Sequence, residues 1–146
     1  MDFVKSLIAG FAGSAALNIL HETVRKFDNQ APRLDLIGEE ALQKSTKTLH
    51  LPIPTGDKLY NATIIGDILS NATYYTGIGM GSKKFLIWKA LGYGLSAGLA
   101  AIKLPKPIGL DDKPVASSDK RKVMSLGYYV FGALITAGVF GMISKK

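Results

Sequence analysis

The chain has 146 residues, no cysteine, and 18 lysines and arginines against 11 acids, a formal net charge of +7. Hydrophobic residues make up 47% and mean hydropathy is +0.19, yet charged residues still reach 20%. The length suits one domain, and the lack of cysteine excludes disulfide frameworks, thiolate metal sites and thiol chemistry. The excess of positive charge reads as loops lying against anionic headgroups rather than a nucleic-acid surface, because the lysine runs carry no interleaved aromatics.

The charges are segregated. Long apolar stretches alternate with wet, punctuated ones, the pattern of membrane spans joined by loops. Residues 3–24 form the first expected span. A cleaved signal peptide is the rival reading, but Asp2 ahead of Lys5 makes a poor positive leader, so we expect the segment to be retained. Residues 25–58 are polar and broken twice, at Asn29-Gln30-Ala31-Pro32 and at Leu51-Pro52-Ile53-Pro54-Thr55-Gly56. Between the breaks, Leu34, Ile37, Ala41 and Leu42 recur at helical spacing opposite Glu39, Glu40, Gln43 and Lys44. That predicts a short amphipathic helix, lying at the membrane interface or capping the protein.

Residues 59–81 are read as a second span despite Asp67 near the centre, and residues 85–104 as a third. The turn between them, Ser82-Lys83-Lys84, is so short that the two spans are expected to form an antiparallel hairpin. Trp88 suits an interfacial belt, and Pro105 and Pro107 end the third span. A hydrophilic linker, 105–122, leads to the fourth span, 123–143, which closes on Ser144-Lys145-Lys146. The expected fold is therefore all-α: a single-domain integral membrane four-helix bundle with a short interfacial amphipathic helix between the first and second spans.

Four spans put both termini on one side, with Lys5, Lys83, Lys84, Lys145 and Lys146. The opposite side carries twelve cationic residues, from Arg25 and Lys26 to Arg121 and Lys122, which places the two long loops in the cytoplasm.

Each expected span carries one polar stripe. Asp67, Asn71 and Tyr74 share a face of the second, and Ser14, Asn18, His21, Glu22 and Arg25 share one in the first. The third has Lys89, Tyr93 and Ser96; the fourth has Ser125, Tyr128, Tyr129 and Thr136. An acid at membrane depth is expensive, so Asp67 needs partners. Lys89 lies in the next span, but counting from the turn leaves a depth mismatch of about 12 Å at roughly 1.5 Å per residue. His21, Arg25 and Asn18 approach Asp67 from the other surface at better matched depth, which predicts an Asp67–His21/Arg25 network. Such a seam has two uses. Hydrogen bonds between membrane helices contribute about 0.6–2 kcal/mol each, enough for a structural role. The same side chains with a water path would bind or pass a proton, ion or small solute.

His21-Glu22-Thr23-Val24-Arg25 falls one residue short of the HExxH zinc-protease helix. Arginine at the second ligand position cannot hold zinc, and His50 lies in a distant loop. No catalytic residue, metal ligand or cofactor is therefore expected. The sequons at Asn61 and Asn71 fall in or beside a span, beyond the reach of a transferase. Small residues are spaced for close packing at Gly94/Gly98, Ala133/Ala137, Gly10/Gly13 and Gly138/Gly141, either within the chain or between copies.

The glycine- and alanine-rich first span, followed by Ala31-Pro32-Arg33-Leu34-Asp35-Leu36-Ile37-Gly38 and three further spans, resembles small four-helix bacterial inner-membrane proteins. The resemblance implies a layout and a location and brings no activity. The functional expectation is a non-enzymatic membrane protein acting through helix packing, as an accessory subunit of a larger membrane complex or as a homo-oligomer in the lipid bilayer. The alternative is a small transporter or channel using Asp67, His21, Glu22 and Lys89.

Overall fold

The computed structural model describes residues 2–145 and is all-α: α1 (Asp2–Phe27), α2 (Leu34–Thr48), α3 (Gly56–Gly79), α4 (Leu86–Lys103), the single turn α5 (Lys113–Ala116) and α6 (Asp119–Ile143). Four of these run 18 residues or more, and they overlap the four apolar stretches within a few residues at each end. Three stretches are long and apolar enough to cross a membrane: α1, residues 83–103, and α6, with mean hydropathies of 1.5, 1.4 and 1.7. α3 is long enough, at about 36 Å for its 24 residues, but its composition is too polar for that group, with Asp57, Lys58, Asn61, Asp67 and Asn71 along it.

The helix ends follow local chemistry. Ser118 caps α6 by accepting from the Arg121 amide at 3.2 Å, with Asp119 in the first turn where the helix dipole favours an acid. The turn before α4 needs Gly81, whose φ of 77° lies in the left-handed region; Ser82 then accepts from the Lys84 amide.

α1 is the central helix. It packs along α3 on one side and α6 on the other, and α4 packs on the far side of α6. The close approaches are made by small residues. A side chain on Gly10 would run into the Ala72 carbonyl of α3, and one on Gly13 into the Gly132 carbonyl and Thr136 of α6. Gly94 and Gly98 seat α4 on Val130 and Leu126 of α6 in the same way. Ala133 and Ala137 are fully buried in the core around Leu17, Tyr75, Ile78 and Tyr128. The small-residue faces of α1 and α4 are thus occupied inside the chain, whereas Gly138 faces open space.

α3 and α4 are joined by the short turn yet touch only near it, and this corrects the expected hairpin. Tyr93 closes over Gly77, with the Tyr74 ring 4.9 Å from it. Beyond that point α4 leans onto α6 through Gly94 and Gly98, so the two helices diverge. The linker and loop meet at one end, where Lys120 pairs with Asp28 at 2.7 Å and Arg33 N–H donates to the Pro114 carbonyl. Lys83 donates to the Ser144 carbonyl at the other end. The outward faces carry large apolar side chains, among them Ile8 and Ile19 of α1, Trp88 and Leu95 of α4, and Phe131 and Leu134 of α6.

Candidate functional site

The polar stripes meet in two layers. The deeper one centres on Asp67, twelfth of the 24 residues of α3. Asn18 Nδ2 donates to its carboxylate at 2.8 Å and also to the Ser14 carbonyl, while Ser14 Oγ bridges to the Ile68 carbonyl at 2.9 Å. Among the described residues Asp67 has no cationic partner within ion-pair distance. Lys89 is turned to the far end and donates to the Met80 carbonyl at 2.7 Å.

The upper layer forms at the loop end. His21 is buried, its Nδ1 3.3 Å from Glu22 Oε1 and its Nε2 3.6 Å from Asp35 Oδ1. The Leu34 amide donates to His21 Nε2 at 3.3 Å, so the neutral ring carries its proton on Nδ1; a protonated Nε2 would instead donate to the Pro32 carbonyl 3.2 Å away. Tyr128 packs edge-on against the ring. Arg25 holds Glu22 through two of its nitrogens, at 2.7 and 2.9 Å, and lies over Tyr60. Arg33 holds Asp35 as a fork, at 2.6 and 2.9 Å. Burial pushes the Asp35 carboxyl up, but the Arg33 guanidinium overrides it and leaves the group below the usual carboxylate range.

The expected Asp67–His21/Arg25 network therefore exists as two separate pieces. Asn18 is the residue that reaches Asp67. Arg25, a further two turns along α1, goes to Glu22 and Tyr60 instead. Arg33, Asp35, Tyr60 and Thr63 belong to the assembly and were not singled out from the sequence. Arg33 and Asp35 lie inside the Ala31–Gly38 stretch, where an arginine two residues from an acid after a proline break is the available signal.

A cleft of about 440 Å³ opens where α3 and α4 diverge. Asp67, Ser70, Asn71 and Tyr74 line one wall, and Ser96 with Ala97, Ala100 and Ala101 line the other. Leu34 and Ile37 of α2, with Ile108 and Leu110 of the linker, form its loop-end rim, and Tyr129 contributes to its floor. α2 thus caps the cleft from the loop end. The lining is mostly apolar with a few converging polar groups, the usual make-up of a small-molecule site. Among the described residues no three His, Asp or Glu side chains are placed to share a metal ion. Comparison with protein-family models, with curated proteins and with solved structures gives no match.

Proposed function

We propose that this chain is a non-enzymatic multi-pass membrane protein in which α1, α3, α4 and α6 form a four-helix bundle, and that the cleft between α3 and α4 binds a small organic cation. The observation that carries the reading is the Asp67 carboxyl: it lines an apolar cleft at mid-depth, is met by the Asn18 side-chain amide, and among the described residues has no cation paired with it. A desolvated acid in that position gains most from a ligand that brings positive charge and an apolar body.

The membrane setting is supported by three candidate spans and by the apolar outward faces. α3 crosses beside them with part of its polar load met locally. Thr73 and Thr76 bond back to carbonyls of their own helix at 2.8 Å, and Asp67 turns to Asn18 and the cleft. The two long loops meet at one end; by the excess of twelve cations there we read that end as cytoplasmic, in a bacterial inner membrane. Action through helix packing with a partner or a second copy has weaker support, since Gly10, Gly13, Gly94 and Gly98 are already occupied within the chain.

The test is ethidium binding to the full chain in lipid nanodiscs. Saturable binding is expected, weakened at least about tenfold in Asp67→Asn with the melting curve retained. Equal binding by Asp67→Asn, or no saturable binding to the native chain, would remove the reading.

A further inference from the structure

Beside the cleft, between α1, α2 and α3, lies a second and much smaller void of about 20 Å³. Asn18, His21, Asp35, Thr63 and Asp67 supply its polar lining, and Leu17, Leu34, Gly38 and Ile64 complete its walls. It joins the two polar layers that side chains alone leave separate: Asp67 borders both this void and the cleft, while His21 and Asp35 belong to the ion cluster. Thr63 Oγ1 is the independent sign of an occupant. Thr63 is 7% exposed, and its hydroxyl is buried without a hydrogen-bond partner among the described residues. Buried hydroxyls are nearly always partnered, and Thr76, further along the same helix, bonds back to a carbonyl as threonines in helices usually do.

We propose that this void holds one ordered water, bound by Thr63 Oγ1 and the carboxyl of Asp67 and reaching the His21–Asp35 pair. The size selects the ligand. A single water needs roughly 10–15 Å³ of such space and two to four polar partners, and this void offers both. A larger solute does not fit. The water satisfies the Thr63 hydroxyl, and it gives Asp67 a hydrogen-bonded connection to His21 that no direct contact supplies. It also ties α2 to α1 and α3 at the point where α2 caps the cleft. Gly38 is part of the same construction: a side chain there would press on the Thr63 methyl group.

The sign of one substitution tests this. Thr63→Val keeps the shape and removes the hydroxyl. If the water is present, the valine deprives it of a partner and Tm falls by about 3 °C, the shift expected for the loss of one hydrogen bond in a chain of this size. If the void is empty, the substitution removes an orphaned polar group and Tm rises. Thr63→Ser, which restores a hydroxyl, is expected to keep the water. The water itself is read on the full chain in nanodiscs by magnetisation transfer from long-lived water to the Asn18 side-chain amide and the Thr63 amide. Transfer in the native chain and in Thr63→Ser, lost in Thr63→Val, is the expected result. No transfer in the native chain, or a rise in Tm on Thr63→Val, overturns the proposal. Should Thr63→Val fail to fold, the native-chain transfer decides alone.

Discussion

α4 lies beside two long helices and treats them differently. Against α6 it is seated through Gly94 and Gly98, so closely that a methyl group would strike the backbone of Val130 or Leu126. Against α3, to which it is joined by a tight turn, it keeps contact only near Tyr93 and then departs, leaving a cleft walled by Ala97, Ala100 and Ala101. Small residues occur on both sides. Where they face small residues or bare backbone, the helices close; where they face Asp67, Ser70, Asn71 and Tyr74, they leave room. Connection in sequence brings two helices near each other, but the depth of the groove on each decides whether they touch.

The closed side is the easier to break. Gly13→Leu drives a side chain into the Gly132 carbonyl and Thr136, both on a buried face. We expect destabilisation by about 3 kcal/mol, the upper range for overpacking, visible as a large fall in Tm in detergent. Gly98→Leu does the same to the α4–α6 contact and sharpens the contrast, since Ala97→Phe, one residue away but directed into the cleft, is expected to cost less than about 1 kcal/mol. Ala97→Phe should nonetheless abolish ethidium binding, because it fills the space the ligand needs. Equal loss of stability from Gly98→Leu and Ala97→Phe would mean that the cleft is as tightly closed as the seam.

The loop-end cap gives an intermediate effect. Asp35→Ala removes the buried acceptor of the Arg33 fork and is expected to cost about 2 kcal/mol, the scale of hydrogen bonds to charged groups. Its pH dependence follows. Burial raises the Asp35 carboxyl, Arg33 lowers it further than burial lifts it, and the folded value ends below that of the unfolded chain. The unfolded chain thus binds the proton more readily. The stabilisation is complete above the ordinary aspartate value of about 3.9 and is lost as pH falls through the folded value. The hydrogen bond from Lys120 lowers half-buried Asp28 in the same direction. Acid melting curves should therefore show Tm falling below about pH 4, with that limb flattened in Asp35→Asn.

The smallest effect is expected at glycines that touch nothing. Gly66 and Gly92 lie within helices with open space where a methyl would go. Alanine at either should raise stability by about 0.5–1 kcal/mol through helix propensity alone. A loss there would show that these faces are covered in the membrane, and would revive the packing role for a partner or second copy.

The candidate site was partly legible. A count of residues from the turn was enough to separate Lys89 from Asp67 and to look to the first span instead, because helix rise is constant. It could not select Asn18 over His21 and Arg25. That choice depends on the rotation of α1 about its axis, fixed by Gly10 and Gly13 meeting α3 and α6. His21 was visible as a buried-face histidine, but its partner Asp35 sits in α2, fourteen residues on, after a break whose geometry the sequence pattern leaves open. Thr63 carried no signal, since a lone threonine in a helix is ordinary until its hydroxyl is found without a partner.

Hydropathy and punctuation determined by themselves that the chain is helical, where its long helices run, and that an acid sits midway along one of them. These are local properties, set by runs of apolar side chains and by proline and glycine breaks, and they survive without knowledge of any neighbour. Which helices touch was decided only in three dimensions. α1 became the centre, α4 went to α6 rather than to its hairpin partner α3, and the resulting gap turned Asp67 from a buried liability into the wall of a cleft. The reason is steric: small residues favour close approach only when the facing surface is also shallow, and a single helix's pattern cannot say what it will face.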